Sequence, residues 1–74
     1  MPNACILIKT VPTKLDNTLK RVNQFEGVTK VYVVFGRWDI VSFFEVGDYH
    51  QIQSITSKIN SIEDVRSTET LLES

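Results

Sequence analysis

The sequence predicts one small α+β domain in which a four-stranded antiparallel sheet carries two helices on one face. Three observations predict it: a length of 74 residues, two segments with apolar residues spaced by three and four, and four further segments rich in β-branched and aromatic residues. A chain of this length is too short for a second domain. We therefore expect a single domain over residues 1–74.

The first two predicted elements are a strand and a helix. Ala4–Thr10 is a short run rich in Ile and Leu, which is typical of a strand. Thr13 followed three residues later by Asp16 is typical of a capping box, and Gly27 predicts the end of the helix. The apolar positions between them fall at steps of four, three and three, as in an amphipathic helix. These positions are Leu15, Leu19, Val22 and Phe25.

A hairpin is predicted next. Val28–Phe35 and Asp39–Val46 are dominated by Val and aromatic residues, which favour strands. Gly36, Arg37 and Trp38 lie between the two segments, so they form the predicted tip of the hairpin.

The last two predicted elements are a helix and a strand. Asp48 with Gln51 predicts a helix cap, and apolar residues then fall at steps of three, four and three. These residues are Ile52, Ile55, Ile59 and Ile62. Val65–Leu72 alternates polar and apolar residues weakly, which suggests the final strand. The resulting order, β-α-β-β-α-β, is that of the ferredoxin-like fold.

Both faces of the predicted hairpin are apolar. In the first hairpin strand Val31, Val33 and Phe35 point opposite to Tyr32 and Val34, and in the second Ile40, Phe44 and Val46 point opposite to Val41 and Phe43. An antiparallel sheet with one wet face normally alternates apolar with polar residues. The sequence therefore predicts that a second subunit covers the face without helices, in a sheet-to-sheet dimer. The alternative is a monomer whose uncovered face tolerates some apolar side chains.

Composition argues against several classes of function. Eight Lys and Arg against nine Asp and Glu give a net charge of −1 without a basic run, so direct DNA binding is not expected. Cys5 has no second cysteine to pair with, and His50 alone makes a poor metal site. The start of the chain lacks the pattern of a signal peptide, and no apolar stretch is long enough to span a membrane. We expect a cytoplasmic protein with no cofactor, no metal and no catalytic residues.

Two polar clusters are candidates for ligand binding. Gly36, Arg37, Trp38 and Asp39 place a flexible backbone, a cation, an aromatic surface and a carboxylate within four residues. In a plainer interpretation, Gly36 turns the chain, Asp39 caps the turn and Trp38 packs against a neighbouring subunit. The second cluster is Ser67–Thr70, whose hydroxyls either bind a ligand or face water.

The order and spacing of several segments resemble those of a known family. The segments are Leu7–Thr10, Gly27–Val28, Val31–Val33, Gly36–Asp39, Val65 and Thr68–Thr70. Together they resemble the effector-binding domain of the Lrp/AsnC transcriptional regulators, also called the RAM domain, over residues 4–72. The chain departs from the family pattern at Thr13, where Gly is common, at Trp38, where Tyr is common, and at Asp64, where Gly is usual.

The resemblance implies a sheet-to-sheet dimer, often assembled further into a ring of dimers, that binds an amino acid or a related small metabolite. It implies a ligand loop of Gly36, Arg37, Trp38 and Asp39, with Thr68 and Thr70 supplied by the same or a neighbouring subunit. From the chemistry of such a ligand, Asp39 is the candidate partner of its ammonium group, and backbone N–H groups near Gly36 with the hydroxyls of Thr68 or Thr70 are the candidates for its carboxylate. Full-length members carry a helix-turn-helix domain, and we expect this chain to be the stand-alone form of the domain, which alters its own assembly or co-assembles with a full-length regulator.

Two other classes of function stay open. One is a small enzyme of the dimeric α+β barrel type, which holds its substrate between sheet and helices and needs polar groups there. The other is a purely structural oligomerisation module. Inward positions occupied by Ile, Val, Leu and Phe argue against the enzyme.

Overall fold

The computed structural model describes residues 3–72 and has the element order β-α-β-β-α-β. The elements are β1 (Asn3–Thr10), a 3₁₀ turn (Pro12–Lys14), α1 (Leu15–Asn23), β2 (Val28–Val33), β3 (Ile40–Glu45), α2 (Tyr49–Asn60) and β4 (Val65–Leu72). The strands form one antiparallel sheet in the order β2-β3-β1-β4. The predicted fold class is confirmed. Four residues of the predicted domain, namely Met1, Pro2, Glu73 and Ser74, lie outside the described residues.

The hydrophobic core lies between the two helices and one face of the sheet. The buried core residues are Ala4, Ile6, Ile8, Val22, Ile40, Phe44, Val46, Ile52, Ile55 and Ile59. Leu15, Leu19 and Phe25 pack against this cluster, and Ile62 is also buried. Both predicted helical stripes are therefore confirmed, because each presents its apolar residues to the sheet.

The start of the first helix differs from the prediction. No side chain caps α1, so the expected pair of Thr13 and Asp16 does not form a capping box. Pro12 begins a 3₁₀ turn at once, because its fixed φ suits a first helical position. Thr13 therefore lies inside that turn, where it cannot adopt the extended conformation of a cap.

The second helix begins as predicted. The Gln51 backbone N–H donates to Asp48 Oδ1 at 3.1 Å, and Asp48 has the extended backbone of a capping residue. The cap fixes where α2 leaves the end of β3. It lies at the opposite end of β3 from the hairpin tip.

The hairpin strands are shorter than predicted, and the connection between them is longer. β2 ends at Val33 and β3 begins at Ile40. One further hydrogen bond, from the Val34 N–H to the Asp39 carbonyl at 2.9 Å, closes the base of the connection. Phe35 was predicted to lie in a strand on the same face as Val31, but it lies beyond the sheet and is 97% exposed. Gly36 follows it with φ at +121°, a conformation that glycine adopts without strain.

Candidate ligand-binding loop and open sheet face

The sheet face without helices is named here the open face. Alternation along β1 and β3 places Cys5, Leu7, Val41 and Phe43 on this face, opposite the buried core residues. Strand register adds their neighbours on β2 and β4. These neighbours are Lys30, Tyr32, Glu69 and Leu71. The rings of Tyr32 and Phe43 meet edge to face with centroids 6.0 Å apart.

The centre of the open face is apolar and partly exposed. Phe43 is 37% exposed, Tyr32 49% and Leu71 51%. A shallow cavity of about 420 Å³ lies beside Tyr32 and Phe43 at one end of this surface. The prediction that both faces of the hairpin carry apolar side chains is confirmed for the residues that lie in the strands. Val33, on the helix side of edge strand β2, is nevertheless 41% exposed.

The tip loop, residues 36–39, projects from the end of the sheet. Gly36 and Arg37 are exposed, whereas Trp38 and Asp39 are half-buried. Within residues 3–72, the backbone N–H groups of Gly36, Arg37 and Trp38 donate to no protein acceptor. Three consecutive donors are therefore left for water or for an anionic group.

Asp39 fixes the base of the tip loop. Its backbone N–H donates to the Ile8 carbonyl at 3.0 Å, and its carboxylate Oδ2 accepts the Thr10 N–H at 3.0 Å. The Lys9 Nζ lies 3.7 Å from the same Oδ2. The register between β1 and β4 shifts between Lys9 and Thr10. The contacts of the Asp39 carboxylate therefore lie at an irregular point of β1.

Thr68 and Thr70 face α2. They pair with the buried residues Ile8 and Ile6 and therefore lie on the helix side of β4. The Thr68 hydroxyl donates to Asn60 Oδ1 at 3.1 Å, and the Thr70 hydroxyl lies 3.2 Å from the Thr56 hydroxyl.

Within one subunit the structure does not bring the two candidate clusters together. β1 lies between β3, which begins directly after the tip loop, and β4, which carries the two threonines. Two strand spacings amount to about 10 Å. A site that includes both clusters has to span that distance within one subunit or draw the clusters from two subunits.

Sequence reasoning missed three residues of this region. Phe35 is an almost fully exposed aromatic side chain directly before the tip loop. Lys9 and Thr10 contact the Asp39 carboxylate, Lys9 through its ammonium group and Thr10 through its backbone N–H. For Phe35, the signal in the sequence is its place directly before the hairpin glycine. No local signal reveals the other two, because Thr10 is 29 positions from Asp39 in the chain.

Thr10 carries a buried hydroxyl for which no hydrogen-bond partner is recorded among residues 3–72. We expect Thr10→Val to raise the free energy of unfolding by about 1 kcal/mol, because valine keeps the shape and removes the unpaired polar group. Thr18→Val is the matched control, since the buried Thr18 hydroxyl donates to the Lys14 carbonyl at 3.0 Å. Urea unfolding measures both. A Thr10→Val protein less stable than the parent contradicts the assignment.

The described residues hold neither a metal cluster nor a membrane-crossing helix. No group of three or more His, Cys, Asp or Glu side chains in residues 3–72 is placed to bind a metal. Across the same residues, no helix combines the length and apolarity needed to cross a membrane. Cys5 is a free, half-buried thiol on the open face, and burial raises its pKa.

The fold and the open face define a class of small α+β domains with a partly apolar, uncovered sheet. The sequence-family model described as the Lrp/AsnC ligand binding domain matches residues 3–73, almost the whole chain. The chain therefore belongs to the Lrp/AsnC ligand-binding domain family, as its sequence motifs indicated. No curated protein sequence matches it significantly.

Solved structures show the same fold. TTHA0845 from Thermus thermophilus is 28% identical with a TM-score of 0.95, over 100% of this chain and 94% of that one. FFRP-DM1 is 27% identical with a TM-score of 0.92, over 100% of both chains. A feast or famine regulatory protein from M. tuberculosis, Rv3291c, was solved in complex with L-methionine. It is 22% identical with a TM-score of 0.82, over 99% of this chain and 50% of that one.

Proposed function

We propose that this chain is a non-enzymatic, ligand-sensing regulatory domain that binds an amino acid or a related small metabolite at a subunit boundary. The boundary is lined by Gly36–Asp39 of one subunit and by the Thr68–Thr70 strand of another. Binding alters the assembly of the domain or of a full-length Lrp/AsnC-type regulator with which it co-assembles. We propose a cytoplasmic location for this activity.

The free N–H groups of the tip loop carry this proposal. Among residues 3–72 the N–H donors of Gly36, Arg37 and Trp38 have no acceptor, while the loop's base is hydrogen-bonded to β1. A carboxylate needs several donors when it leaves water. The exposed Arg37 adds a cation at the same place. The complex of the M. tuberculosis neighbour with L-methionine supports an amino acid as the class of ligand.

The open face supports a dimer joined sheet to sheet. The apolar side chains of Tyr32, Phe43 and Leu71 are partly exposed to water. Because a chain of 74 residues buries only a small hydrophobic core, covering these side chains with a second subunit would stabilise it. A second copy of the chain is the proposed cover for this face. Rings of dimers are the proposed larger assembly.

The interior gives no support to the dimeric barrel enzyme. The space between sheet and helices is filled by the buried aliphatic residues and Phe44. Its buried polar residues are Thr10, Thr18 and Ser42, and the last two hydroxyls donate to backbone carbonyls. The structural module differs from the proposed function in that it binds no ligand.

A thermal-shift screen with each of the twenty standard amino acids at millimolar concentration tests the proposal. A ligand that binds the native state raises the melting temperature. We expect at least one amino acid to do so in a concentration-dependent way. If none of the twenty does, the chain is better described as a structural module.

A further inference from the structure

We propose that Asp39 is a positioning residue, which holds the tip loop against β1 rather than forming an ion pair with the ligand. This inference rests on the proposed function and changes one part of it. The chemistry of an amino-acid ligand made the Asp39 carboxylate the candidate partner of its ammonium group. The contacts of that carboxylate favour a different role.

Asp39 joins β1 to both arms of the hairpin. Its backbone carbonyl accepts from the Val34 N–H at 2.9 Å, and its backbone N–H donates to Ile8 at 3.0 Å. Its side-chain Oδ2 accepts from the Thr10 N–H at 3.0 Å. The side chain therefore extends the connection between the hairpin and β1 past Ile8↔Ile40, the last register pair of β1 and β3.

The charge of Asp39 is already compensated within the protein. The Thr10 N–H makes a charge-assisted hydrogen bond to Oδ2, and the Lys9 ammonium lies 3.7 Å from the same atom. The side chains of Lys9 and Asp39 are 39% and 26% exposed, so the ion pair lies at the surface. Lys9 already places one ammonium group beside this carboxylate, so a ligand ammonium would be a second cation there. The carboxylate is better suited to hold the loop than to select a cation.

Fixing the base of the loop helps a ligand bind to its tip. The free N–H groups of Gly36, Arg37 and Trp38 follow one another directly before Asp39. A loop held in its binding conformation loses less entropy when a ligand arrives. Releasing Asp39 from β1 therefore lowers affinity even if no atom of Asp39 touches the ligand.

Two substitutions separate positioning from ion pairing. Asp39→Asn keeps a carbonyl oxygen for the Thr10 N–H but removes the charge, whereas Asp39→Ala removes both. Calorimetry uses the amino acid of the twenty that most stabilises the parent. We expect Asp39→Ala to weaken binding roughly tenfold or more and Asp39→Asn to stay within about threefold of the parent. Equal, large losses in both variants overturn the proposal, because the charge is what they both lose.

Asp48→Ala is the matched control for loss of stability. Asp48 also accepts a backbone N–H, but it caps α2 at the far end of β3. We expect this variant to lose stability while its folded form binds the same amino acid as tightly as the parent. A similar loss of affinity in Asp48→Ala shows that Asp39 acts through general stability and overturns the proposal.

Hydrogen exchange of the Thr10 amide tests the contact with no amino acid present. We expect exchange to be roughly tenfold faster in Asp39→Ala than in the parent, and restored in Asp39→Asn. Unchanged exchange in Asp39→Ala overturns the proposal whether or not any amino acid binds. If exchange changes as expected but none of the twenty binds the parent, the proposed function is what fails.

Discussion

Val41→Asp is expected to convert the proposed dimer into monomers of 8.5 kDa. Val41 lies on the open face between Leu7 and Tyr32, its register partners on the two neighbouring strands. In a symmetric dimer each substitution occurs twice, and each buries an unpaired carboxylate. At about 2 kcal/mol for each, the dimer weakens roughly a thousandfold. Light scattering at low micromolar concentration measures the mass.

Val33→Asp is the matched control for this change. Val33 lies one residue from Tyr32 on β2, points to the other face of the sheet and is 41% exposed. Its new carboxylate stays in water, so the mass should remain that of the parent.

Alkylation of the Cys5 thiol gives a second measurement, because Cys5 lies on the open face. The rate of alkylation should rise in Val41→Asp and stay at the parent's value in Val33→Asp. A parent that is itself monomeric and folded contradicts the dimer.

Phe44→Ala is expected to remove a large part of the stability of the fold. Phe44 is 1% exposed and is the largest fully buried side chain among the described residues. Truncating a buried phenylalanine costs about 3–5 kcal/mol. A domain of this size has a total stability of about 4–11 kcal/mol. Circular dichroism during urea unfolding should show a midpoint at a much lower urea concentration than that of the parent.

The neighbouring Phe43→Ala separates the two faces of β3. Phe43 is 37% exposed on the open face, so its loss leaves the core intact. We expect this variant to keep a folded spectrum and to dissociate at higher protein concentration than the parent. If Phe43→Ala unfolds as readily as Phe44→Ala at low concentration, the assignment of the two faces is wrong.

Local sequence signals were sufficient for most of the fold. The isoleucine stripe and the Asp48 cap predicted α2 because both depend on residues three or four positions apart. The predicted start of α1 was wrong, because it also depended on a local signal. Pro12 and Thr13 give competing signals for a helix start, and the proline begins its turn first.

The candidate site depends on contacts between distant parts of the chain. The sequence identified Gly36–Asp39 as a polar loop, but the role of Asp39 follows from Thr10, which lies 29 positions earlier. The face on which Thr68 and Thr70 lie is set by their register with β1, and a shift of one residue would reverse it. Periodicity within one strand does not fix such a register.

An NMR titration can show whether the tip loop binds an amino acid, as proposed. Amide resonances of the ¹⁵N-labelled chain are followed while each of the twenty standard amino acids is added. We expect at least one of them to produce saturable shifts at Gly36, Arg37 and Trp38, while Lys58 in the groove between the helices stays unchanged. Saturable shifts confined to that groove, or none at the tip loop with any amino acid, would contradict the account.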